Sequence, residues 1–178
     1  FNNVAVTARY LQMEHGIQRV GIIDSDVHHG NGTQHIFEQD PTVFYYSIHQ
    51  HPSFAFPGTG REFEEGAEEG QGFTKNSLVL PGQGDDVYRQ LIQSDLLPAF
   101  ERFKPEFILV SSGFDGHRYD DMSDVSLSTE GYSWMMETIM KLGDQYAAGR
   151  VISVLEGGYC LERLGELAAN HVRILLGG

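Results

Sequence analysis

Residues 22–34, IIDSDVHHGNGTQ, decide how this chain is read. An apolar run that begins at Val20 stops at Asp24, and Asp26, His28 and His29 follow before a glycine-rich turn. A short run of this kind, apolar on every residue, is the pattern of a strand covered on both faces. Ionisable residues crowding the end of such a strand sit where open parallel sheets place their ligands.

Working outward, the same alternation recurs. Val43–Ile48, Phe107–Ser111 and Val151–Leu155 read as further strands, with Ser77–Leu80 a fainter one. Between them lie helical patterns: Asn3 to His15 stopped by Gly16, Asp86 to Phe103 with Pro98 expected to kink or split it, a helix capped by Ser128 and striped by Tyr132, Met136, Ile139 and Tyr146, and a last one striped by Leu164, Ala168, His171 and Leu175. Those stripes read as core. Strands alternating with helices predict one α/β domain with a mainly parallel sheet flanked by helices and the active site at the C-terminal strand ends. Its 178 residues are enough to bury a sizeable core.

Composition narrows the classes of function. A net charge of -13, from 25 acidic against 12 basic residues, disfavours direct nucleic-acid or anionic-membrane binding and favours cationic ligands. Cys160 is the only cysteine, which excludes an internal disulfide and a multi-cysteine zinc knuckle. Neither a signal-like start nor an apolar run near the roughly 20 residues of a membrane span is present, so a cytoplasmic protein is expected. The loop GTGREFEEGAEEGQG, residues 58–72, holds five glutamates. It reads as a solvated loop, or else as a negative rim beside a site for cationic substrates.

The strand ends gather the polar residues. Asp24, Asp26 and His28 follow the first; Ser47, His49 and His51 follow the second; Asp115 and His117, in SSGFDGH, follow the fourth; and LEGGYC, with Glu156, Gly157, Gly158 and Tyr159, follows the last. Side chains alternate along a strand, so Asp26 and His28, two apart, can chelate one metal ion. With Asp115 they make three protein ligands, the number that leaves a catalytic zinc an open position. Asp24 would sit one step behind them. HGNG also admits a phosphate-cradling turn, although no complete nucleotide-binding motif accompanies it. Tyr159 is either a core aromatic or, freed by Gly157 and Gly158, a hydroxyl that reaches a developing oxyanion. Cys160 reads as a small buried side chain.

Taken together, DSDVHHGNGTQ, SIHQHPSFAFPGTG, SSGFDGHRYDD and LEGGY resemble, in order and spacing, the motifs of the histone deacetylase superfamily, in the form of its class II members and their bacterial relatives. The resemblance runs over essentially the whole chain. It implies an arginase-like α/β fold and zinc-dependent removal of acetyl groups from acetyl-lysine. By that resemblance Asp26, His28 and Asp115 hold one zinc ion, Tyr159 stabilises the transition state, and Asp24 orients a catalytic histidine. Asn31 stands where some members carry an aspartate beside such a histidine. The family's potassium site matches Asp24, Asp26, His28, Ser47 and Ile48, and a second cation matches Phe37, Asp40 and Val43. Phe56 matches a wall of the acyl-lysine channel, with Met122 near its rim and Gly157 and Gly158 lining it.

The family's general base is a tandem histidine pair in a Pro-Gly-His-His type motif, upstream of the segment resembling FNNVAV. The chain opens at Phe1 without that motif and ends at Gly178, so residues 1–178 are expected to be one partial catalytic domain, inactive alone. An acetylpolyamine or other small-molecule amidohydrolase on the same fold would also suit the acidic loop. A non-catalytic scaffold is the remaining alternative, and it has no use for Asp26, His28, Asp115 and Tyr159 together.

Overall fold

The computed structural model of the chain describes residues 1–177; Gly178, where the sequence reading places the C-terminal cut, lies outside the described residues. Five parallel strands, β1 (Val20–Asp24), β2 (Val43–Gln50), β3 (Thr74–Val79), β4 (Phe107–Ser112) and β5 (Val151–Leu155), form one sheet in the order β3-β2-β1-β4-β5. Every residue of β1 and β2 is buried, as strands covered on both faces must be. The helices α1 (Asn3–His15) and α2 (Asn31–Phe37) cover one face with Val4, Ala8, Leu11 and Phe37. The other is covered by α3 (Asp85–Leu91), α4 (Leu97–Phe103), α5 (Thr129–Tyr146) and α6 (Leu161–Leu175), around Tyr88, Phe100, Met136 and Ile139. Among the described residues no helix is long and apolar enough to cross a membrane.

The topology fixes where a site can be. From β1 the chain moves to β2 and β3 on one side; from β4 it moves to β5 on the other. The adjacent ends of β1 and β4, paired Asp24 to Ser111, therefore diverge into loops that open a crevice.

Several boundaries differ from the sequence reading. β2 continues to Gln50, so His49 is a strand residue at 0% exposure and not a group at the strand's end. β3 starts at Thr74 and stops at Val79, earlier than expected. The long helix expected from Asp86 is broken by a π-helical turn, Ile92–Leu96, just ahead of Pro98, which lacks the amide proton for a regular i to i−4 bond. α5 starts where expected, its cap Ser128 accepting from the Gly131 amide. In α6 only Leu167 is fully buried, because that helix and β5 form the open edge, where Ile152 and Leu155 are exposed.

Buried His49 makes a testable contribution to stability. Its Nδ1 faces Ser47 Oγ at 2.8 Å and its Nε2 faces the Gly60 carbonyl at 2.9 Å. Burial, aided by nearby His29, pushes its pKa down to about 3. Below the ordinary value of about 6.5 an unfolded chain takes up a proton that the folded one refuses. Its stabilising effect is therefore complete above that pH and is lost as pH falls toward 3, at up to about 1.4 kcal/mol per pH unit. Denaturant titrations of the complete domain at about pH 7 and about pH 5 should show this loss, and His49→Gln should flatten it. An equal slope in both proteins would rule it out.

Candidate active site

At the end of β1 two carboxylates fold the chain back on itself. Asp24 Oδ1 accepts the Asp26 amide at 3.3 Å, and Asp26 Oδ1 accepts the His28 amide at 2.8 Å, turning Asp26 and His28 toward the β4 end. There Asp115, 1% exposed, accepts the Val27 amide at 3.2 Å. His28 Nδ1 lies 3.2 Å from Asp26 Oδ1 and 3.0 Å from Asp115 Oδ2. One ligating atom from each of the three residues falls within 4.8 Å of the others.

This arrangement fits a divalent cation. Its donors are the nitrogen and oxygens that zinc accepts, three in number, with one side left toward the cavity. The backbone crowds the carboxylates so closely that no side chain can intrude: a Cβ on Gly157 would meet Asp115 Oδ2 at 2.2 Å, and one on Gly113 would meet Asp26 Oδ2 at 2.2 Å. The Gly157 amide instead donates to Asp26 Oδ2 at 2.9 Å. The electrostatics agree. Hydrogen bonds that His28 donates to the Asp115 and then the Asp26 carboxylates push its pKa up to about 10, while burial pushes Asp115 up. A metal cation would balance the excess of carboxylate charge in this partly buried cluster.

Asp24, 4% exposed, stands behind the cluster, where burial and then the Asp26 charge raise its pKa. Tyr45 donates its hydroxyl to Asp24 Oδ2 at 2.9 Å, and a Cβ on Gly30 would lie 2.2 Å from that oxygen. Asn31 opens α2 next to Gly30 and is exposed. Ser47 pairs with Asp24 in register, which brings Ser47 and Ile48 alongside the backbone of the β1 end. Phe37, Asp40 and Val43 share one turn, in which Phe37 accepts from the Asp40 amide and Asp40 from the Val43 amide.

A cavity of about 680 Å³ opens over the cluster. Asp24, Asp26, His28, Asp115, Gly157 and Tyr159 line it, and Phe56 and Met122 stand at its sides. Tyr159 is 58% exposed, so it is not a core aromatic. Partial burial, then the Asp115 and Asp26 charges, keep its phenol above the usual tyrosine range and therefore protonated at neutral pH. Gly158, at φ +136°, turns the chain into Tyr159 through a conformation that suits glycine. Cys160 is half-buried, more exposed than expected. His117 packs against Tyr132 and faces Thr129, and it does not line this cavity.

The residues that anchor the Phe56 loop escaped the sequence reading. His29 Nδ1 faces Thr59 Oγ1 at 2.9 Å, and its Nε2 faces Gln34 Oε1 at 2.9 Å. Glu64 accepts the Gly60 and Arg61 amides and the Gln34 side-chain amide, so one of the five loop glutamates is a structural strut and not a solvated charge. The signal available was the tandem His28-His29: with one ring assigned to the cluster, the other had to bond elsewhere.

A known family carries this same architecture. The family described as "Histone deacetylase domain" matches residues 1–175. Histone deacetylase 14, chloroplastic, of Arabidopsis thaliana is 42% identical over 177 residues, covering 99% of this chain and 41% of that protein. A probable deacetylase of Archaeoglobus fulgidus is 40% identical over 174 residues, covering 98% of this chain and 47% of that one. The crystal structure of acetylpolyamine aminohydrolase from Burkholderia pseudomallei superposes with a TM-score of 0.89 at 32% identity, over 98% of this chain and 49% of that one. The chain belongs to the histone deacetylase family of hydrolases and has its arginase/deacetylase fold. It spans less than half the length of these relatives.

Proposed function

We propose that this chain is the metal-holding part of a zinc-dependent deacetylase that hydrolyses the N-acetyl amide of acetyl-lysine. The observation that carries the reading is the Asp26, His28 and Asp115 cluster opening into a cavity that Tyr159 also lines. A zinc ion held by those three residues would polarise the amide carbonyl and lower the pKa of water. Tyr159 supports the same step, because a phenol that keeps its proton can donate to the oxyanion as charge develops there. Asp24, fixed by Tyr45, orients a catalytic histidine, and Asn31 lies beside that contact. Phe56 and Met122 flank the acyl-lysine chain while Gly157 lets the backbone come close; Gly158, expected beside it, packs against Phe114 and Leu164 and does not line the cavity. Potassium held by Asp24, Asp26, His28, Ser47 and Ile48 would brace the β1 end, and a second cation would take Phe37, Asp40 and Val43. The general base comes from the histidine pair that the family carries and residues 1–178 lack.

The structural likeness to an acetylpolyamine aminohydrolase favours a second substrate class, acetylated polyamines. One assay tests both. The complete domain, supplied with zinc, is offered an acetyl-lysine peptide and acetylspermidine, beside residues 1–178 alone. The peptide should be turned over by the complete domain and negligibly by the short chain, since a general base contributes about 10²- to 10⁴-fold. Preferential turnover of acetylspermidine would move the assignment to polyamines. Equal activity from the short chain would place the base within residues 1–178 and overturn its assignment to the histidine pair.

A further inference from the structure

Tyr159 is held by a residue to which neither the sequence reading nor the proposed mechanism gives a part. Asp120 lies on the loop after β4 and is 6% exposed. Its Oδ2 accepts the backbone amides of both Tyr159, at 2.6 Å, and Cys160, at 2.8 Å. Its Oδ1 accepts the amide of Met122 at 3.0 Å. One carboxylate thus fixes three amides on two loops that face the same cavity.

The surroundings make this grip decisive for the tyrosine. The phenol is exposed and forms no hydrogen bond among the described residues, so its side chain does not anchor itself. Upstream, Gly157 and Gly158 provide a permissive stretch, tied by the Gly157 amide to Asp26 and by the Gly157 carbonyl to the Phe114 amide. Downstream, the Cys160 carbonyl already accepts from Arg163 and Leu164 in the first turn of α6. Between these ties the Asp120 carboxylate supplies the hydrogen bonds to the chain at Tyr159. Amide hydrogen bonds to a carboxylate are stronger than those between neutral groups. Cys160 caps α6 without a side-chain bond, so the negative group also sits favourably at a helix start.

We propose that Asp120 is a positioning residue whose carboxylate fixes the backbone of Tyr159, and so the place where its hydroxyl meets the substrate. The proposal rests on the reading of Tyr159 as the oxyanion donor. It also joins rim to tyrosine, because the carboxylate that places Tyr159 holds the Met122 backbone as well.

The test uses the complete zinc-loaded domain in four forms: wild type, Asp120→Ala, Tyr159→Phe and the double variant. Asp120→Ala should lower kcat about 10- to 100-fold, the scale of a misplacement of about 1 Å in a catalytic group, with zinc content unchanged. In the Tyr159→Phe background the same change should cost nothing further. Amide hydrogen exchange at Tyr159 and Cys160 should quicken in Asp120→Ala whatever the tyrosine does in catalysis. If alanine prevents folding, as melting and zinc content would reveal, Asp120→Asn takes its place. One amide oxygen can serve the Tyr159 and Cys160 amides but not Met122 as well, so a smaller kcat loss is expected, again vanishing beside Tyr159→Phe. Equal losses in both tyrosine backgrounds, or unchanged exchange and kcat in Asp120→Ala while Tyr159→Phe is slow, would overturn the positioning role alone. Full turnover by Tyr159→Phe would overturn the tyrosine's own role, and this one with it.

Discussion

Asp115→Ala in the complete domain should lose its divalent metal and, with it, its turnover. Asp115 is the most deeply buried of the three ligand candidates, and His28 Nδ1 points at its Oδ2 from 3.0 Å. Alanine would leave two donors, Asp26 and His28, beside a cavity open to water. Disrupting even an outer-shell partner of a metal ligand costs about 10- to 100-fold in affinity or activity; removing the ligand itself should exceed that range. Elemental analysis of purified protein, with zinc titrated against a chelating dye, reads the effect directly. Asp115→Asn separates charge from shape, and it should bind more weakly than wild type while keeping the Val27 contact. Undiminished metal content in the alanine variant would reject the cluster as the site.

Tyr159→Phe should depress kcat by about 10²- to 10³-fold, the usual cost of removing one oxyanion donor. It should leave metal content intact, because the phenol hydroxyl bonds to none of the three ligand candidates. The exposed ring carries little packing, so melting should also be unaffected. Activity near that of wild type would reduce Tyr159 to an exposed aromatic on the cavity wall.

What could be read from the sequence, and what could not, follows from the range of the interactions. Val20–Asp24 was legible because five buried residues in a row leave little choice. Asp26 and His28 were legible because their mutual geometry is set by bonds two residues apart. Asp115 could be added because a glycine on each side marks a loop that must approach other backbone closely, as Gly113 does to Asp26. By contrast α2 was missed: two glycines and an asparagine surround its start, and its seven residues are held by packing against β2, not by propensity. His49 looked like a polar group at the strand's end because nothing local says that the strand runs on to Gln50. Glu64 could not be told from its four neighbouring glutamates, since its partners Gly60, Arg61 and Gln34 meet it only after the loop has closed. Asp120 was hidden for the same reason, its Tyr159 partner lying 39 residues away.

The bond between the Gly157 amide and Asp26 spans 131 residues, and the one between Val27 and Asp115 spans 88. Each loop therefore aims a carboxylate that belongs to another, and no short stretch of the chain contains a finished metal site. A nascent polypeptide would carry scattered, weak donors until the sheet from β1 through β5 had closed. If the cluster holds the proposed metal, tight capture would be a sign that folding has reached completion, which would separate a mature molecule from a half-made one before any substrate arrives.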